Sequence, residues 1–378
     1  MLNTTLSREA ARRLRNGASS LQREDIISMT GTPHAGEPVQ LVDEDGVMLG
    51  LGDVDLHAAR AVRRLGLPDE TAEGLIPRHV RRALEQRAQL VEDPRFCRLI
   101  HDDGDGLPGL VVDRYDQHFV VQTLTRAMDS RVAEIARALV EVAGASSVLL
   151  RNDGAQRGHL GLDVQRPLVL AGAPPRWCRL LELGARFTVD LNFGASTGYR
   201  YEHRELRKFL HRLSHGARVL DPSCNVGGLF VHAGLHGARE ILAFERDPDA
   251  AELARENAEA NGLLGRVRVE TGSSLAALAG VDAAFDLVLL DTQEAEGAAD
   301  FSEQVKLALR ATRHGGRLMI AARYGSLGER RPGDLIAEAC SQEGRTAFCV
   351  AWLSLPPDFP TVIGAGDDAF QAAVLEVA

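Results

Sequence analysis

The pattern of apolar and polar positions changes period twice along the chain. Residues 1–70 open on a basic amphipathic stretch (Arg8, Arg12, Arg13, Arg15) and continue in short alternating runs. EPVQLVDEDGVMLGLGDV alternates around the turn Asp43-Glu44-Asp45-Gly46, which predicts a hairpin within a small β-rich domain. In residues 71–175 the helix-like PRHVRRALEQRAQLV precedes GLPGLVVDRYDQHFVVQTLT, two strands joined by a polar turn. DSRVAEIARALVEVA then places apolar residues at helical spacing behind a capping Asp129, and SSVLLRND adds a strand. Strand, strand, helix, strand predicts a central α+β domain. The Pro/Gly-rich AGAPPRWC (171–178) marks the next boundary.

From residue 183 strands and helices alternate. Strands are predicted at 217–221, 240–245, 266–270, 286–291, 316–322, 347–353 and 369–376, with helices such as DPDAAELARENAEANG between them. Alternation of this kind predicts a doubly wound, mostly parallel sheet over residues 176–378. The fold class is therefore α/β, a Rossmann-like domain behind a small α+β domain and a β-rich N-terminal one.

The first of these strands runs into a glycine turn, VLDPSCNVGG (219–228). Gly227 and Gly228 carry no side chain, so a ligand can approach the backbone closely at the carboxyl end of the strand. The second strand ends at Glu245, about twenty residues beyond the loop, where an acid can accept hydrogen bonds from both hydroxyls of a ribose. A dinucleotide stays open, although GxGxxG is absent and the loop reads S-C-N-V-G-G. The plain alternative is a helix-packing turn.

Composition narrows the setting. Hydrophobic content of 45% with 25% charged residues is ordinary for a globular chain. No apolar run of about eighteen residues predicts a spanning helix, and the N-terminus lacks the apolar core of a signal peptide. The five cysteines are scattered without a CxxC pair, which fits neither zinc nor a disulfide framework and suits a reducing cytoplasm. A net charge of −10 opposes unspecific polyanion binding by the whole surface while leaving room for a local basic face. Nearly all positive charge is arginine, lysine occurring only at 208 and 306; base composition accounts for that, and arginine also suits phosphate contacts.

Several stretches together resemble one family. GEPVQLVDEDGVMLGLG resembles a PUA hairpin, and RLIHDDGDGLPGLVVDRYDQHFVVQ with RNDGAQRGHLGLD resembles a central domain. GARFTVDLNFGASTGYRYEHRELR resembles the entry to a catalytic domain, and ARENAEANGL places Asn257 and Asn261 in a familiar pattern. Over nearly its whole length the chain is similar to bacterial 23S ribosomal RNA cytosine-5 methyltransferases with an N-terminal PUA domain, class I enzymes that use S-adenosylmethionine (SAM). The resemblance implies a methionine-side loop of Asp221, Ser223, Asn225, Gly227 and Gly228. It also implies ribose binding by Glu245, and Tyr199 and Arg204 closing over the cofactor. Arg12 and Arg13 would contact RNA, and structured RNA, ribosomal above all, would be the partner. No metal and no membrane enter this picture, and a homodimer stays open.

The chemistry departs from the pattern. Cytosine carbon 5 becomes nucleophilic only after a thiolate adds to carbon 6, and the family carries that cysteine after its fifth strand. Here the stretch is IAARYGS, with Arg323 in its place. Where the family has Asp-Pro-Pro, this chain has Asp291-Thr292-Gln293-Glu294, so Asp291 is the one catalytic candidate. Gly272 and Ser273 stand where the family has an adenine-side Asp. Cys224 reads as a small buried cysteine, His203 as a phosphate or cofactor contact, and RELRKFLHRLSH as a solvated helix face. The expected function is SAM-dependent RNA methylation with doubtful cytosine-5 activity. The alternatives are a non-catalytic SAM- and RNA-binding paralogue in ribosome assembly, or a methyltransferase recruited to a small molecule.

Overall fold

The structure, a computed structural model, describes residues 1–154, 156–192, 198–281, 283–292, 297–323, 327, 330–362 and 370–378. Contacts gather the chain into two units. One comprises Met1–Arg176 with the described parts of Leu191–Gly198 and Pro357–Gly366; the other comprises Trp177–Asp190, Tyr199–Pro356 and the end of the chain.

The first unit holds two sheets. Strands β1 (Asn3–Leu6), β2 (Ser20–Leu21), β3 (Ile26–Met29), β4 (Val39–Val42), β5 (Met48–Val54) and β6 (Val62–Gly66) form a sheet of order β2-β6-β5-β4-β1-β3. Helix α1 (Arg8–Arg15) starts at Ser7, whose hydroxyl accepts the Ala10 N–H, and buries Ala10, Ala11 and Leu14 against Leu6, Val39 and Leu41. The predicted hairpin is β4–β5, and its turn is held by Asp43, which accepts the N–H groups of Asp45 and Val47.

The second sheet has the order β11-β10-β9-β8-β7: β7 (Phe96–His101), β8 (Leu110–Tyr115), β9 (His118–Thr123), β10 (Ser147–Leu150) and β11 (Leu168–Gly172). Helices α2 (Leu75–Leu90), α3 (Arg126–Ser130), α4 (Val132–Ala143) and α5 (Gln156–His159) accompany it. Strands β7 and β11 were not expected. In β7 five consecutive buried positions erase the alternation that marks a strand. The expected single helix from Asp129 is two, with Thr125 capping the first. Asp129 is not a cap: its carboxylate accepts from Arg157, a buried guanidinium that requires an anion.

The second unit carries a two-stranded hairpin, β12 (Trp177–Glu182) and β13 (Ala185–Asp190), and a seven-stranded sheet. In chain order the latter's elements are α6 (Arg204–Phe209), β14 (Arg218–Asp221), α7 (Phe230–Leu235), β15 (Glu240–Glu245), α8 (Pro248–Ala260) and β16 (Val267–Thr271). They continue through α9 (Ser274–Ala279), β17 (Phe285–Asp291), α10 (Ala298–Ala311), β18 (Thr312–Arg323), α11 (Pro332–Gln342), β19 (Ala347–Leu353) and β20 (Phe370–Val377). The order is β16-β15-β14-β17-β18-β20-β19, with only β20 antiparallel to its neighbours. All seven expected strands are present; the hairpin was not expected. Asn257 of α8 holds the hairpin, exchanging hydrogen bonds with the backbone of Thr188 on β13 and donating to the Val226 carbonyl of the glycine loop. Strand order reverses between β14 and β17, the switch point at which open α/β sheets bind ligands. No helix among the described residues is long and apolar enough to cross a membrane.

Buried ion pairs stiffen the first unit. Arg87 meets Asp105 through two hydrogen bonds of 2.6 and 2.7 Å, and Arg98 meets Asp113 through two of 2.7 and 2.9 Å. Asp105→Ala should therefore lower unfolding stability by about 3–5 kcal/mol, because it strands a buried guanidinium. The double variant Arg87→Met/Asp105→Leu should lose clearly less. Urea unfolding of both, followed by circular dichroism, measures the difference.

Candidate functional site

Strand β14 delivers Asp221 to the switch point, and the loop 222–229 turns the chain into α7. Asn225 adopts a left-handed conformation (φ 50°), donates its N–H to Glu245 Oε2 at 2.8 Å and accepts the Val226 N–H on its own side chain. Gly227 also has positive φ, and a Cβ there would fall 2.8 Å from the Phe230 ring, so glycine is required. At Gly228 a Cβ would meet only Arg207 and Tyr199, at 3.6 and 3.7 Å. Packing does not demand that glycine; its bare backbone faces a cleft of about 320 Å³, mouth included. Glu245 is oriented from both sides, since its other oxygen accepts the Asp247 N–H at 2.9 Å.

Asp221 is buried, and neither carboxylate oxygen has a hydrogen bond of good geometry, only the Ser223 and Phe230 N–H groups approaching it. Burial, followed by repulsion from Asp291 and a weaker one from Glu245, pushes its carboxyl far above the usual range. Three acids thus converge on the carboxyl ends of β14, β15 and β17. A carboxyl held protonated in this way loses its proton when a cation enters beside it, so the site favours a cationic ligand. A SAM molecule would bring a sulfonium and an α-ammonium, cations that suit the buried Asp221 carboxyl. The residues present fit the group that the glycine loop implied.

Asp291 ends β17. Its carboxylate lies 3.4 Å from Arg200 Nε and 3.6 Å from His203 Nε2, and its carbonyl accepts the Ser223 hydroxyl. Burial drives the His203 imidazole down to about 4, outweighing Asp291, so the ring is neutral near pH 7. Thr292 directs both its N–H and its hydroxyl to the Ala321 carbonyl, at 2.9 and 2.7 Å. Arg323 is the last residue of β18. Its side chain, residues 324–326, Gln293, Glu294 and Thr197 lie outside the described residues. Cys224 lies in the loop with its thiol buried; burial, then Asp221 and Glu245, raises that thiol well above the usual range, so it stays protonated. Gly272 and Ser273 follow β16, and Ser273 caps α9.

Behind the cleft sits a carboxylate that the sequence did not single out. Glu182 of β12 accepts from Arg204 Nε at 2.8 Å and from the Tyr199 hydroxyl at 3.1 Å, and pairs with Arg207 Nε at 2.5 Å. Burial pushes its carboxyl up, but Arg207 and Arg204 outweigh burial and hold it below the usual range. Tyr199 lines the cleft, whereas Arg204 is not among the lining residues. The basic run is only partly solvated, because Arg204 and Arg207 are buried while His211 and Arg212 face water. Arg200 and Arg207, both lining the cleft, were missed. The available signal was spacing: residues 200, 204 and 207 fall on one side of a helical turn.

Arg12 and Arg13 lie on α1, in the first unit. Arg12 pairs with Glu9 and Arg13 with Asp25, while Arg8 and Arg15 pair with Glu44 and Asp43. The face is less basic than its arginines suggest.

Strand order, switch-point cleft and acid-lined glycine loop define the Rossmann-like fold of class I SAM-dependent methyltransferases, preceded by a PUA-like domain. Residues 5–66 match the family model of a PUA-like domain. The chain is 30% identical over 242 residues to the ribosomal RNA large subunit methyltransferase I of Klebsiella pneumoniae, covering 63% of this chain and 60% of that protein. Its namesake in Aeromonas hydrophila is 28% identical over 89% of both chains. The chain thus spans about 60% of the length of the first curated relatives in their best-matching region. Among solved structures, a protein from Streptococcus mutans described as a SAM-dependent methyltransferase shares the fold at a TM-score of 0.83. It is 16% identical, with all of both chains covered, and a structure described as a methyltransferase complexed with S-adenosylhomocysteine (SAH) gives the same values.

One buried group near the cleft makes the protein acid-sensitive. His232 of α7 is fully buried beside the Phe187 ring, and neither ring nitrogen has a partner. Burial, then Arg207, lowers its imidazole to about 3. The unfolded chain takes up this proton near pH 6.5 but the folded protein refuses it until about pH 3, so stability falls with pH throughout that window. Between pH 6.5 and 5 the loss from this group is about 2 kcal/mol. Comparing urea midpoints at pH 7 and pH 5 isolates it: His232→Phe should lose markedly less than the parent protein.

Proposed function

We propose that the protein is a SAM-dependent methyltransferase whose substrate is structured RNA, specifically large-subunit ribosomal RNA. The observation that carries the reading is the buried Asp221 carboxyl at the switch point, in an acid-lined cleft suited to a cationic nucleoside. Glu245 would hold the ribose hydroxyls, its carboxylate already oriented by two backbone N–H groups. Asp221, Ser223, Asn225, Gly227 and Gly228 would surround the methionine portion, with Tyr199 as a wall and Arg204 acting through Glu182. When bound, SAM supplies an electrophilic methyl group. The chain's own residues fix the cofactor, keep the cleft narrow and present Asp291 and His203 to the acceptor.

RNA as substrate is supported by the PUA-like segment and by the names of the relatives. Arg12 and Arg13 would contribute phosphate contacts on exchanging their carboxylate partners. A cytoplasmic location and a homodimer complete the reading, the latter measurable by light scattering. Cytosine-5 chemistry is the part the residues support least, because Cys224 is held as a neutral thiol and Thr292 stands beside Asp291. The same facts favour a second reading, a SAM- and RNA-binding protein without catalysis.

Calorimetric titration with SAM and SAH tests the cofactor. Glu245→Ala should weaken binding by about 1.5–3 kcal/mol, and no binding at millimolar ligand would refute the site. Transfer of labelled methyl to large-subunit ribosomal RNA separates the two readings. Affinity for that RNA should also fall steeply with salt.

A further inference from the structure

We infer that the acceptor half of this cleft receives a substrate atom that carries a proton, a nitrogen or a hydroxyl oxygen, with Asp291 as its hydrogen-bond acceptor and His203 as its proton acceptor. The inference rests on the methyltransferase reading and specifies the atom modified.

The cleft divides by chemistry. On the β14 side stand Asp221, Ser223 and Asn225, the groups assigned to the cofactor. At the end of β17 stand Asp291 and His203, 3.6 Å apart, with Arg200 Nε at 3.4 Å from the same carboxylate. His203 is the one base at the cleft, among the described residues, that is neutral near pH 7 and can accept a proton there. Its position is fixed by a buried frame rather than by chance. The His203 N–H donates to the Arg200 carbonyl at 3.2 Å, and Arg207 donates to the same carbonyl at 2.9 Å while paired with Glu182. The next residue, Arg204, is anchored on Glu182 as well. The Asp291 carboxylate across 3.6 Å offsets part of the burial cost of the protonated imidazole, which therefore holds the proton only briefly.

A carbon acceptor lacks what it needs. Among the described residues the cleft has one cysteine, Cys224, on the cofactor side and with its thiol proton directed at the Asn225 carbonyl. Without a thiolate, cytosine carbon 5 is not activated. An amine or hydroxyl needs no covalent activation. Its hydrogen bond to Asp291 orients the lone pair, and the reaction replaces a heteroatom–hydrogen bond by a heteroatom–carbon bond. The methyl comes from the sulfonium donor, whose carbon–sulfur electron pair remains on sulfur, and the displaced proton passes to His203 and then to solvent. Methyl, charge and proton balance without a further reagent.

Three measurements decide the matter. Nucleoside mass spectrometry of large-subunit ribosomal RNA, taken from a strain lacking the protein and treated with purified enzyme and SAM, should show a new N- or O-methyl nucleoside. The same RNA substituted with 5-fluorocytidine should give no covalent complex on a denaturing gel. His203→Gln should keep SAH affinity within about twofold by calorimetry while methyl transfer falls by at least about 100-fold. A 5-methylcytidine product, a trapped adduct, or full activity in His203→Gln overturns the inference and leaves the methyltransferase reading standing. Absence of both SAH binding and methyl transfer overturns that reading and the inference with it.

Discussion

Glu182 is a single carboxylate in the hairpin ahead of the sheet, and the shape of the cleft follows from it. Two guanidiniums and a phenol converge on its two oxygens, all of them buried. Removing the acid would leave Arg204 and Arg207 facing each other without compensation, an arrangement that costs several kcal/mol. Because Arg207 also reaches the Arg200 carbonyl, the same anion fixes the turn that presents Arg200 and His203. Tyr199 is held by its hydroxyl, so its ring forms a wall of constant position. The hairpin that bears Glu182 is itself held by Asn257 of α8 and by Asn261, which caps that helix. A charged polar frame thus shapes this side of the cleft, held by ion pairing to Glu182.

The opposite side of the cleft is organised by repulsion. Asp221, Glu245 and Asp291 end neighbouring strands, and their mutual field is uncomfortable as it stands. Of the three, Glu245 is satisfied by backbone donors and Asp291 is flanked by Arg200 and His203, while Asp221 has only the imperfect approach of the Ser223 and Phe230 N–H groups. The strain of burying that carboxyl is recovered when a cation or a set of hydrogen-bond donors enters. Cofactor preference is therefore built into the free protein as an electrostatic deficit.

Legibility in the sequence followed burial. The seven strands of the large sheet were readable because strands such as β14 and β17 are short apolar runs that alternate with helices, two of them visibly capped, by Asp247 before Pro248 and by Ser273. The glycine loop and Glu245 were readable because strand, turn and acid come in a fixed order. Three things were not. The β12–β13 hairpin alternates exposed and buried residues, strictly in β12, but it begins inside the Pro/Gly-rich segment and was absorbed into a boundary. The carboxylate of Glu182 meets Arg204 and Arg207 from more than twenty positions away, and no local pattern encodes that encounter. Asp129, read as a helix cap, was claimed by Arg157 instead, a tertiary ion pair overriding a local preference.

Asp358 gives the fold a history as well as a shape. Its carbonyl accepts from Arg87 and its carboxylate from the Arg98 N–H, so residues late in the chain complete the unit that the first 176 residues begin. During synthesis the N-terminal unit must wait for more than 180 further residues to leave the ribosome before those two donors find their acceptors. Until then Arg87 and Arg98 are only partly matched, and the strands from β12 to β19 emerge in the interval. The connectivity interleaves the two units: the segment with Asp358 completes the first, and the seven-stranded sheet is complete only afterwards, when β20 inserts between β18 and β19.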